Sequence, residues 1–114
     1  MSAGRQATIR QHGIRAGRLQ ELEQGGWRFS YAPDYSGSPV SLVLPVRAEP
    51  YDFQGFPPFL EGLLPEGPQL EAILRKHKID RSDSFAQLMT VGSDLVGSLT
   101  AVEWPDLEGG GDQA

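Results

Sequence analysis

Three observations in the sequence predict an α+β domain, a small antiparallel sheet with three short helices packed on one side. Alternating apolar residues and turn-forming glycines crowd residues 7–44, helical periodicity takes over between residues 56 and 89, and alternation returns at residues 97–104. Strands, then helices, then a strand leave no βαβ series of the kind a parallel doubly wound sheet requires.

Residues 7–11 and 14–22 flank His12-Gly13, a dipeptide suited to a tight reversal because glycine takes positive φ without steric cost, and so predict a first hairpin. In the second arm Ala16 and Leu19 stand three apart instead of two, so a bulge near Gly17 is expected to restore one inward face. Gly25-Gly26 turns the chain into Trp27-Arg28-Phe29-Ser30-Tyr31, whose aromatics alternate with polar residues at the period of a half-buried strand. Pro33-Asp34 and Ser36-Gly37-Ser38-Pro39 carry turn chemistry. Val40, Leu42 and Leu44 then share a face, predicting a strand near a sheet edge that Pro45 stops, with residues 47–52 irregular.

Phe56, Phe59, Leu60, Leu63 and Leu64 fall at the spacing of one helical stripe, with Pro57 and Pro58 in the first turn and Pro65 as the stop. A second helix is expected from about Pro68 to about Lys78, carrying Leu70, Ile73 and Leu74 on one face and a Glu71–Arg75 pair on another. Ser84 and Gln87 have capping-box spacing, Asp83 competes as the cap, and Phe85, Leu88 and Met89 form the stripe of a third helix that Gly92 ends. The last strand, residues 97–104, places Leu99 and Ala101 on one face and Thr100, Val102 and Trp104 on the other, before Pro105. The acidic, glycine-rich stretch from Leu107 is expected to be disordered. The division is thus a flexible N-terminus at 1–6, a domain at 7–105 and a tail at 106–114.

With 114 residues, 39% hydrophobic and 22% charged, the chain holds one modest core. Ten Lys and Arg against fifteen Asp and Glu give a net charge of -5, which disfavours direct nucleic-acid binding. The absence of cysteine removes disulfides and thiolate chemistry and fits a cytoplasmic protein. The polar N-terminus lacks a signal peptide, and no stretch approaches the ~20 apolar residues of a membrane span. His12 and His77 are too far apart in sequence to suggest a metal or catalytic set, so neither an enzyme nor a cofactor is expected.

Each feature that could carry chemistry has a plainer reading. Gly109-Gly110-Gly111 lacks the strand, Lys-Ser/Thr pair and helix of a phosphate loop. Arg75-Lys76-His77-Lys78 reads as the solvated last turn of a helix, with His77 partly buried below the apolar stripe. Trp27, Phe29 and Tyr31, without interleaved lysines, read as core and not as a base-stacking platform. Glu61, Glu66 and Glu71 cannot share one helical face across Pro65 and read as surface, with no metal site. What stands out is the corner Leu64-Pro65-Glu66-Gly67-Pro68, whose two prolines and glycine fix a projection between two helices before any partner arrives.

Several segments together resemble the N-terminal subdomain of the HipA-type serine/threonine kinase toxins. They are Arg15-Ala16-Gly17-Arg18-Leu19, Trp27-Arg28-Phe29-Ser30-Tyr31, Val40-Ser41-Leu42-Val43-Leu44-Pro45, Phe59-Leu60-Glu61-Gly62-Leu63-Leu64-Pro65-Glu66-Gly67, and Phe85-Ala86-Gln87-Leu88-Met89 leading to Gly92-Ser93-Asp94-Leu95-Val96-Gly97. In that family the subdomain precedes a larger kinase body, which these residues do not include. The resemblance therefore implies an antitoxin like the small component of three-gene HipBST-type systems, one that binds and inhibits a separately encoded HipA-like kinase. It also implies an indirect link to a HipB-like helix-turn-helix protein through the complex. Two alternatives are a non-catalytic half that completes a split kinase, and an accessory factor in operator binding through Arg75, Lys76 and Lys78. On this resemblance the partner-binding residues are Leu64, Pro65, Glu66, Gly67, Pro68, Gln69 and Leu70, with Leu64 as a buried anchor. The chain has Pro68 where a bulky aromatic would fill a kinase cleft.

Overall fold

The fold was obtained as a computed structural model that describes residues 4–92 and 98–104. One antiparallel sheet holds β1 (Gln6–Gln11), β2 (Ile14–Glu21), β3 (Trp27–Tyr31), β4 (Tyr51–Phe53) and β5 (Leu99–Glu103), in the order β4-β3-β2-β1-β5. The second layer is α1 (Pro58–Glu61), α2 (Gly67–His77) and α3 (Ser84–Val91), as the α+β reading expects. Residues 5 and 6, assigned by sequence to the flexible N-terminus, belong to the fold: Gln6 opens β1, and Arg5 is ion-paired to Glu21 and Asp83. The tail from residue 106, the triple glycine and residues 93–97 lie outside the described residues.

His12 and Gly13 take φ of 54° and 80°, the paired positive values that match a two-residue turn to the twist of its strands. Gln11 faces Ile14 and Ile9 faces Gly17, but Arg10 faces Arg15, so Ala16 is the extra residue of a bulge. The bulge buries Ala16 and Leu19 together. Gly17 also lies beneath Phe29: a Cβ there would sit 2.7 Å from the ring and 2.3 Å from the Ser30 carbonyl oxygen.

The core gathers Ile9, Leu19, Trp27, Phe29, Leu60, Phe85, Leu88 and Leu99 between the layers. Aromatic contacts join them: Phe85 stacks on Trp27 at 5.4 Å, and Phe56 and Phe59 meet Trp27 and Phe29 edge-on at 5.2 and 5.4 Å. Full burial of Leu60 or Leu88 contributes about 1.5–3 kcal/mol each. Gln11, the buried polar side chain nearest the turn, is satisfied: its Nε2 donates to the Ser38 and Pro39 carbonyls and to Tyr35 Oη, and its Oε1 accepts from Ser98 Oγ.

Several expectations are corrected. Residues 40–44 form a turn instead of a strand, with the Leu44 N–H donating to the Ser41 carbonyl. Val40 and Leu44 point inward while Leu42 is fully exposed, so the three do not share a face. The physical reason is Tyr31, whose hydroxyl accepts from the Val40 N–H and donates to the Leu44 carbonyl, the groups a ladder would have needed. The fourth strand lies instead at Tyr51–Phe53, beside β3, in the stretch read as irregular. The first helix is a single turn, Pro58–Glu61, and shorter bonds from the Leu63 and Leu64 N–H groups to Leu60 and Glu61 carry the chain to Pro65. Glu71 pairs with Arg81 at 2.6 Å and not with Arg75. His77 is exposed, because the chain reverses at Lys78 (φ 55°) and Ile79 returns its N–H to the Leu74 carbonyl. Asp83 wins the cap of α3 by accepting from the Ala86 N–H, while Gln87 donates to the Arg81 carbonyl and leaves the box unmade.

Candidate docking surface

The corner between α1 and α2 is anchored on both sides. On the α1 side, Pro57 and Leu60 are fully buried and Phe59 packs on Phe29; on the α2 side, Leu74 is buried. Pro65 has no N–H and so ends the run of turn bonds. Glu66 follows in extended geometry (φ -133°, ψ 169°), and Gly67 takes φ +62°, a value L side chains rarely adopt. A Cβ at Gly67 would meet open space, so it is the backbone that requires glycine there. Pro68 then enters the first turn of α2, where its missing N–H costs nothing.

The seven corner residues divide by exposure. Glu66, Gly67, Pro68 and Gln69 face solvent, while Leu64, Pro65 and Leu70 are half-buried at the margins. Leu64 packs against the core without being enclosed by it, so the expected buried anchor is a partial one. The result is a short, stiff, mildly acidic projection, since Glu61 and Glu66 are both exposed. Its chemistry suits contact and offers no nucleophile. Among the described residues no three His, Asp or Glu side chains are grouped to hold a metal ion, and no helix is long and apolar enough to cross a membrane. Arg75, Lys76, His77 and Lys78 are all exposed at the opposite end of α2 from the corner.

Two features had no sequence signal. Arg5 Nε and Nη2 donate to the Glu21 carboxylate at 2.9 and 3.1 Å, and Nη1 donates to both Asp83 oxygens at 3.1 Å. Its guanidinium also lies 5.0 Å from the Phe85 ring, tying the start of β1 to the cap of α3. The hydrogen bond from Arg5 holds the Glu21 carboxyl below its ordinary value, against a smaller opposing effect of burial. These groups line a polar cleft of about 420 Å³ with Asp80, Ser82 and Ser84. The other feature is the apolar turn at Leu42 and Val43, 101% and 77% exposed.

A five-stranded antiparallel sheet in the order β4-β3-β2-β1-β5 with three short helices matches a known class of domain. The family model "HipA N-terminal domain" matches residues 7–102. The solved N-terminal domain of the HipA toxin superposes with a TM-score of 0.71 at 28% identity, covering 93% of this chain and 98% of that one. The chain belongs to the HipA N-terminal domain family. Among sequence relatives, an uncharacterized protein of Haemophilus influenzae is 34% identical over 87 residues, 76% of this chain and 81% of that protein. A putative kinase of Sinorhizobium fredii is 32% identical over 87 residues, and the match spans 73% of this chain but 21% of that kinase. The family relation connects the chain to HipA-type kinases.

Proposed function

We propose that the chain is the antitoxin of a toxin–antitoxin module, binding and inhibiting a separately encoded HipA-like serine/threonine kinase in the cytoplasm. The observation that carries this reading is one of proportion. The matched domain makes up 81% of the Haemophilus influenzae relative but a fifth of the putative kinase, so the same domain occurs both as most of a small protein and within a kinase chain. Phosphoryl transfer needs a phosphate clamp, metal-binding carboxylates and a base in one cavity, and those parts belong to the kinase body. A domain supplied in trans acts by occupying the surface that the kinase offers it. The preorganised corner supports Glu66, Gly67, Pro68 and Gln69 as the facing residues, because a stiff projection loses little freedom on docking. A HipB-like helix-turn-helix protein would join through the complex and not through this chain.

Co-expression with a HipA-like kinase from the same genome tests the reading. Growth arrest by the kinase should be relieved and the two chains should copurify. Replacing Glu66 and Gln69 by Ala and Pro68 by Ser should weaken the complex by about 1–3 kcal/mol, the range of a central contact cluster, with the thermal midpoint of the free chain unchanged. Arrest that persists, with no copurifying complex, rejects the proposal. The presence of the same domain within a kinase chain favours one rival, a split kinase that this chain completes. The sign of the effect on kinase autophosphorylation separates them: an antitoxin lowers it and a missing half raises it.

A further inference from the structure

We infer that the turn at residues 41–44 is a second docking element, whose apolar tip, Leu42 and Val43, seats in an apolar pocket of the same kinase partner. The inference rests on the reading that the chain binds such a kinase. Single exposed apolar side chains are ordinary on protein surfaces. What distinguishes this tip is the structure devoted to holding it out. Tyr31, itself buried, uses its hydroxyl to tie the Val40 N–H and the Leu44 carbonyl on either side of the tip. Gln11 holds the Ser38 and Pro39 carbonyls before it, and Tyr51 Oη donates to the Pro45 carbonyl at 2.6 Å after it. Val40 and Leu44 plug the base into the core, so the Leu42 side chain is kept in water by tethers on both flanks. A rigid apolar projection of this kind buries surface on binding with little ordering cost.

The size and charge of the tip select its occupant. Leu42, Val43 and Val46 together present on the order of 300 Å² of apolar surface, well below the ~800 Å² per partner of a stable self-association. The tip therefore serves as one anchor within a larger interface. A lipid surface is disfavoured by the net charge of -5, since membrane-docking apolar loops depend on basic flanks to reach anionic lipid. A concave pocket on a protein remains. In the longer kinase relative the matched region is 21% of the length, so a large further body accompanies the domain there and is the surface against which the tip would seat.

The experiment is calorimetric titration of the whole chain into a purified HipA-like kinase from the same genome, for wild type, the Leu42→Ser/Val43→Ser double variant, Leu42→Ile and the corner variant. The double variant should raise Kd about 10- to 100-fold, as loss of a buried Leu or Val side chain from an interface does, and leave the thermal midpoint of the free chain unchanged because both side chains are already hydrated. Leu42→Ile should bind within about threefold of wild type, since the pocket reads apolar volume. If the double variant binds like wild type while the corner variant loses affinity, the tip makes no contact and the inference fails with the proposed function intact. If wild type itself does not bind, both fail. Self-association of wild type that the double variant abolishes would assign the tip to a second copy and overturn the inference.

Discussion

At Gly92, the difference between a hydrogen atom and a methyl group decides how α3 meets the sheet. Its φ of -55° is open to any residue, so no left-handed requirement explains it. A Cβ there would lie 2.0 Å from the Ala101 carbonyl oxygen, a backbone atom that β5 holds in place through its pairing with β1. Sequence reasoning reached the right helix end by the wrong cause. Gly92→Ala should destabilise the domain by about 1–3 kcal/mol in urea denaturation, as overpacking does. Gly55→Ala, where a Cβ meets nothing within 4 Å, should stay within about 0.5 kcal/mol of wild type. Gly67 differs from both, because its constraint lies in its own φ of +62° and it shapes the corner directly.

Among the elements, the joint between β1 and α3 is electrostatic as well as apolar. Because Arg5 depresses the Glu21 carboxyl, the contribution of this pair is complete above the ordinary value of 4.5 and is lost as pH falls through the lower folded value. Asp52, paired with Arg28 at 2.7 Å across β3 and β4, is depressed in the same direction. Wild type should lose stability on acidification from about pH 5 to pH 3 more steeply than Glu21→Gln, by no more than about 1 kcal/mol for groups this exposed. Parallel acid titrations followed by thermal unfolding check the difference.

Elements whose signal is local were legible. The His12-Gly13 hairpin, the bulge at Ala16, the Trp27–Tyr31 strand and the three helices follow from short-range sterics and periodicity. The corner was readable too, because proline and glycine carry their constraints with them. Residues 40–44 misled because their alternation is genuine, while the Tyr31 hydroxyl that overrides it lies nine residues before Val40. Tyr51–Phe53 is too short for its alternation to stand apart from the surrounding prolines. Arg5 could not be found at all, since its partner Asp83 lies 78 residues away. The exposed tip was hidden by the same misreading that made residues 40–44 a strand.

Taken whole, the molecule has one contiguous core shared by the sheet and the helices, so it should unfold in a single transition. Far-ultraviolet circular dichroism and the fluorescence of Trp27, stacked on Phe85, should fall together along the urea axis. Unfolding free energies of about 5–15 kcal/mol are expected for a domain of this length. The sheet order also has a temporal meaning. β1 is made first but lies between β2 and β5, and the partners of Ala7 and Gln11 on its second edge are Glu103 and Leu99. At about 5–20 residues per second, a ribosome needs roughly 4–18 s to travel from the end of β1 to the start of β5. Throughout that interval the nascent meander carries an open edge in the middle of its future sheet, and its vulnerability to mispairing is governed by the pace of translation and not by the stability of the finished domain.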